Sequence, residues 1–282
     1  MQKTVVPIMV ATSIGCWGRN IPYEGGSSDT GDGEVETVDC NADMDLSMGF
    51  RIEGTATDLF TNEPVSGLCV RAIDPSPALT GGDPTDLAAS KLCPDGTFTI
   101  PGVQEKPSIG LFVVVYNCDE SADTGEPAAL VMQSATGIAT EDYMDEPEGG
   151  VVSGVNAHTL TAQNAQTIQS DMTDYTGVLA DDGFLGGFIV DADDQPVDGA
   201  TVSCDGCEPH GIFYMDDDGS DGLFSNQGTL NTSTNATAGS LAIIPAAPVF
   251  TYVCEDGGTH TWEDSLFGSL TEYAVFVNFT AL

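Results

Sequence analysis

Three groups of side chains in this sequence have types and spacing suited to chemistry. His260-Thr261-Trp262-Glu263 sets an imidazole and a carboxylate three residues apart, the spacing by which a zinc hydrolase takes two ligands. Such a site also needs a third ligand and a catalytic acid. No His follows His260, so the spacing is read as coincidence. Cys204 and Cys207 bracket Asp205-Gly206, with His210 three residues on. Zinc could take these three with Cys254 or His260 as the fourth ligand; alternatively the Asp-Gly pair turns a hairpin that closes a small disulfide loop, the preferred reading for an exported chain. Haem attachment needs His where Glu208 stands, and no βαβ pattern supports a thioredoxin role. The run MDDDGSDG offers Asp216, Asp217, Asp218 and Asp221 as hard oxygen donors for calcium. Asp221 occupies the glycine position of an EF-hand loop and Gln227 that of its bidentate Glu, which leaves a solvated acidic loop. Trp262, Tyr252 and Tyr214 are either a sugar-stacking face or core. No nucleophile elbow, phosphate loop or dinucleotide fingerprint is present. The sequence therefore predicts no catalytic, cofactor-binding or metal residue and no cofactor.

Composition narrows the partners. Six Lys plus Arg stand against 44 Asp plus Glu in 282 residues, a formal charge of −38, which repels phosphates and excludes nucleic acid and anionic membranes as partners of the protein surface. Residues 1–15 carry Lys3, an apolar run from Val5 to Ile14, and Gly15 ahead of Cys16. That is the layout of an export signal, too short to span a bilayer. It resembles a bacterial lipoprotein signal, which implies lipid attachment at Cys16 and membrane contact only through that anchor; a secretory leader cut elsewhere and a misplaced start codon are the alternatives. Export in turn favours disulfides among the remaining cysteines, Cys40, Cys69, Cys93, Cys118, Cys204, Cys207 and Cys254. Seven cannot all pair internally, so one thiol is free or pairs with another molecule, unless Cys16 is itself unlipidated.

Elements that would position these groups are β-like. Residues 16–47 form an acidic, Gly- and Ser-rich tether, which Cys40 could tie to the first domain. Residues 48–138 hold short alternating runs bounded by turn residues, and IGLFVVVYNC reads as a strand buried on both faces. Residues 139–183 read as an acidic loop and one short helix, with Val155, Ala162, Ala165, Ile168 and Met172 on its apolar side. Residues 184–282 return to strands.

The two strand-rich regions share four blocks in one order. Gly54–Asp58 matches Gly187–Asp191, Pro64-Val65-Ser66-Gly67 matches Pro196-Val197-Asp198-Gly199, DGTFTI at 95–100 matches AGSLAI at 238–243, and VVVYNC ending at Cys118 matches VFTYVC ending at Cys254. A duplicated domain explains this economically. GGFIVDADDQPVDGATV and EGTATDLFTNEPVSGLCV resemble the first hairpin of the carboxypeptidase regulatory-like, or transthyretin-like, β-sandwich family. The resemblance implies an all-β chain of two antiparallel transthyretin-like β-sandwiches joined by an acidic loop and one short helix. It also implies an accessory role; together with the signal ahead of Cys16 and the lack of a complete catalytic set, this predicts an exported, lipid-anchored, non-enzymatic structural or interaction module of the bacterial cell envelope, at the outer membrane or cell surface, with a protein or polysaccharide partner. A carbohydrate-binding module and a zinc- or calcium-binding surface protein are the alternatives.

Overall fold

The computed structural model describes residues 37–38, 40, 49–118, 131–145, 149–172, 174–204, 211–216, 222–226, 229–262 and 264–282. They are mostly β. In chain order the strands are β1 (Thr37–Val38), β2 (Phe50–Asp58), β3 (Cys69–Asp74), β4 (Thr85–Lys91), β5 (Thr97–Val103), β6 (Leu111–Tyr116), β7 (Val131–Ile138), β8 (Val151–Thr161), β9 (Phe184–Val190), β10 (Thr201–Cys204), β11 (Phe213–Tyr214), β12 (Ser225–Asn226), β13 (Thr229–Leu230), β14 (Leu241–Pro245), β15 (Phe250–Glu255), β16 (Ser265–Phe267) and β17 (Tyr273–Thr280). Helices α1 (Thr140–Tyr143), α2 (Ala162–Asp171) and α3 (Leu179–Asp182) lie between β7 and β9. No helix among the described residues is long and apolar enough to cross a membrane.

The recurring blocks fold alike. After β2, the Asp58 carboxylate accepts the N–H groups of Phe60 (3.0 Å) and Thr61 (3.0 Å); after β9, that of Asp191 accepts those of Asp193 (2.9 Å) and Gln195 (2.9 Å). Each turn then carries one residue in the left-handed region, Asn62 at φ 54° and Asp194 at φ 58°, where Asn and Asp are tolerated. Pro64 bridges Thr57 and Pro196 bridges Val190, after which Gly67 (φ 74°) and Gly199 (φ 71°) redirect the chain. What reads in sequence as a hairpin is thus a single bridge followed by a crossing: β3 does not continue beside β2, nor β10 beside β9.

Strand pairing repeats as well. β2 runs antiparallel to β5 and parallel to β8, and β9 runs antiparallel to β14 and parallel to β17. β3 pairs with β6 and β6 with β7; β10 pairs with β15 and β15 with β16. Gly54 and Gly187 hold matching positions where the parallel strand approaches: an added Cβ would lie 2.1 Å from the Val155 carbonyl oxygen at the first and 2.2 Å from the Phe279 ring at the second.

Three expectations are corrected. First, the segment read as loop and helix contains the eleven-residue strand β8, in which Val155 lies. Its β-branched residues and the burial of Val152, Ala157 and Thr159 suit a strand closing the first half, so that half extends past residue 138. The helix starts only at Ala162, where the Thr161 side chain caps it by accepting the Asn164 N–H (3.1 Å), and it buries Ala165 and Ile168. Second, the sheets are not purely antiparallel, because β8 and β17 return to their partners after crossovers and β1 lies parallel to β4. Third, the halves are not separate. β17 also pairs parallel with β7, Tyr273 to Phe276 against Gln133 to Thr136, which makes one sheet ordered β1-β4-β3-β6-β7-β17-β9-β14-β11.

This sheet is covered on both faces. Val113 and Val115 of β6 pack with Ile52, Ile100 and Phe98 in one cluster, while Val114 joins Val275, Tyr252 and Phe279 in another; the centre of the apolar run, Val113 to Val115, is buried on both sides as its composition demands, whereas Ile109 at its start is exposed. A third cluster puts Ile168 and Met172 from the helical segment on Phe276, Phe184 and Ile243.

Candidate functional site

Chemistry-bearing side chains gather in three places. The most connected is Arg71 on β3. Its Nη1 donates to Asp86 of β4 (3.0 Å), and its Nη2 donates to the Gln133 amide oxygen of β7 (2.6 Å) and the Tyr273 hydroxyl of β17 (2.9 Å). The guanidinium carbon lies 4.7 Å from the centre of the Tyr116 ring on β6. One planar fork therefore ties five adjacent strands across the join between the halves, a geometry suited to Arg and not to Lys. Burial raises the Tyr273 hydroxyl pKa, partly offset by the neighbouring guanidinium. With its Nη atoms engaged, Arg71 positions strands. Sequence reasoning passed over it; the available signal was a cation inside the apolar strand CVRAI of a chain with six Lys and Arg.

The second place is the disulfide framework. Cys40 pairs with Cys93 and Cys69 with Cys118. The tether's end is therefore docked: Cys40 is bonded beyond β4, and β1 covers the open edge of β4 at Ala89 and Ser90, a usual protection for an edge strand. Cys204 is disulfide-bonded too. Cys254, included among the candidate disulfide cysteines, is free and buried, and burial pushes its thiol up to about 12.

The third place is the corner at 256–262. The Asp256 carboxylate accepts the backbone N–H groups of Thr259 (3.2 Å) and His260 (3.1 Å) and is bonded to His260 Nδ1. Burial raises its pKa, but the hydrogen bonds it accepts and the charge of His260 together outweigh this and leave it lowered. This imidazole is thus held by Asp256, while Glu263 lies outside the described residues. Trp262 stacks edge-on to His260 at 5.9 Å and packs on the second core cluster.

The remaining sequence candidates separate. Tyr252 is fully buried and donates to the Pro248 carbonyl (2.9 Å); Tyr214 is buried, and its hydroxyl accepts the Val202 N–H (2.8 Å). With Trp262 half-buried, these three aromatics form core, not a sugar-stacking face. Asp216 is buried and accepts from the Asn231 amide (3.1 Å). Asp217, Asp218 and Asp221, along with Cys16, Cys207 and His210, lie outside the described residues. Among the described residues no group of three or more His, Cys, Asp or Glu is placed to hold a metal.

No protein-family model matches the chain, and no curated protein does. Solved structures with some likeness include the Bacillus anthracis TIE protein (10% identity, TM-score 0.25, 83% of this chain), of whose length the chain spans 34%. The shaft pilin SpaA of Lactobacillus rhamnosus GG matches at 10% identity and TM-score 0.24, over 82% of this chain and 96% of that one. The dioxygenase domain of a carbohydrate-binding fusion from Streptomyces sp. SirexAA-E matches at 11% identity and TM-score 0.21, over 48% and 98%. At these values the likenesses carry no argument about family or activity.

Proposed function

We propose that this chain is an exported, non-enzymatic structural or interaction module of the bacterial cell surface. In this reading it is built from two transthyretin-like units, held to the membrane by an acyl chain on Cys16, and meets a protein or polysaccharide partner. The observation that carries the proposal is the disulfide framework: Cys40–Cys93, Cys69–Cys118 and a bonded Cys204 suit an oxidising compartment and not the reducing cytosol. The roles of the polar groups support it further. Arg71 clamps strands, Asp256 holds His260, and Tyr252 and Tyr214 bond to backbone inside the core.

Metabolic labelling with a fatty-acid analogue tests the anchor. Label on the wild-type chain that disappears in Cys16→Ser is the expected result, and an unlabelled, aqueous-phase wild type would refute anchoring. Intact mass with and without reductant tests the compartment, since a chain isolated from its native host with all thiols reduced would remove the basis for export.

A further inference from the structure

Beside the join between the halves lies a titratable group that the clamp does not use. His158, on β8 of the first half, packs beside two aromatic rings of the second: its ring centre is 4.6 Å from that of Phe188 on β9 and 5.6 Å from that of Phe276 on β17, which are 6.2 Å from each other. Its backbone N–H donates to the Thr136 hydroxyl of β7 (3.1 Å), and two residues on Leu160 donates to the Ser134 hydroxyl (3.1 Å). We propose that His158 makes this join acid-sensitive, its protonation loosening β8 from β7 and from the β9–β17 face while the other strands of each half stay paired.

The neighbours make the imidazolium hard to accommodate. β2 presents Thr57 in register with His158, β7 presents Thr136, β9 Phe188 and β17 Phe276; none is charged or titratable. Burial alone pushes the imidazole down to about 4 from its ordinary 6.5. A folded pKa below the unfolded one gives stability that is complete above about 6.5 and declines as pH falls toward 4. In that window the opening constant rises by up to about tenfold per pH unit. A cation–π attraction to the two rings acts in the opposite sense, so the titration midpoint shows which effect wins.

The test uses the full chain. The His158 ring-proton resonance, assigned by its loss in His158→Gln, is titrated by NMR, and amide exchange at His158 and Leu160 is compared with that at Val70 and Val114 between pH 6.5 and 4.5. Expected are a midpoint well below 6.5 and a fall in protection at His158 and Leu160 of at least about tenfold beyond the change in intrinsic exchange. The fall should be absent in His158→Phe, or in His158→Gln if the Phe variant does not fold. A midpoint at or above 6.5, no fall in the wild type, or the same fall in a variant without the imidazole would overturn the proposal. Because carboxylate titration acts on wild type and variants alike, the difference between them isolates His158.

Discussion

The two halves place a pair of cysteines at the same strand addresses, yet only one pair bonds. Cys69 on β3 faces Tyr116, with Cys118 two residues beyond; Cys204 on β10 faces Tyr252, with Cys254 two residues beyond. In the first half β6 ends at Tyr116, so the chain carrying Cys118 is released from the ladder and closes to a Cα–Cα distance of 5.2 Å from Cys69. In the second half β15 continues through Cys254, which is held opposite Val202. Diagonal residues in a regular antiparallel pair stay about 7–8 Å apart, beyond the reach of a disulfide. The lesson is that a duplicated residue keeps its duplicated role only where the backbone around it ends in the same way.

The largest way to sharpen this contrast is to remove each cysteine set in turn. Cys69→Ser with Cys118→Ser opens a loop with a sequence separation of 49 and should lower stability by about 4 kcal/mol in the chain-entropy treatment, read from urea unfolding. Cys254→Ala only trims a small buried side chain and should cost about 1 kcal/mol. Equal losses would break the comparison.

Next come the paired glycines. Gly54→Ala drives a Cβ into backbone at Val155 and should cost about 3 kcal/mol. Gly187→Ala meets the movable Phe279 ring and should cost less, about 1–2 kcal/mol. Gly67→Ala has open space but a left-handed backbone, so its loss should be about 1 kcal/mol. Thermal unfolding of the three variants ranks them, and the reverse order would contradict the assigned contacts.

Arg71→Met should cost about 2 kcal/mol, since it strips charged hydrogen bonds from partly buried partners, and Arg71→Lys should recover less than half. The smallest effect is kinetic: Cys254 should react with a thiol reagent only as fast as the second half opens, because the thiol is both buried and held in its neutral form.

Local rules carried the sequence reading a long way. The Asp-to-Pro-to-Gly phrase specifies its own turn through side-chain caps and left-handed residues, so both copies were readable without knowledge of the rest. The join was not. Pairing of β7 with β17 links residues more than a hundred positions apart, and nothing in VMQSATGI or YAVFVNFT distinguishes a strand at an edge from one at a seam. β8 was hidden for a related reason: VVSGVNAHTLT runs straight into the helix at Ala162, and its scattered apolar residues fit a helical period as readily as a strand interrupted by a bulge near Gly54. The Arg71 clamp is the same problem at the level of side chains, since its partners come from four other strands.

Residue-resolved amide exchange across a urea series bears most directly on the central claim that the repeats are welded into one sheet at β7 and β17. The weld requires amides of Ser134–Thr136 and Ala274–Phe276 to be as protected as those of β3 and β9 and to lose protection at a single midpoint shared by both halves. Rapid exchange along that seam, or two midpoints with each half unfolding alone, would mean that the halves are separate bodies.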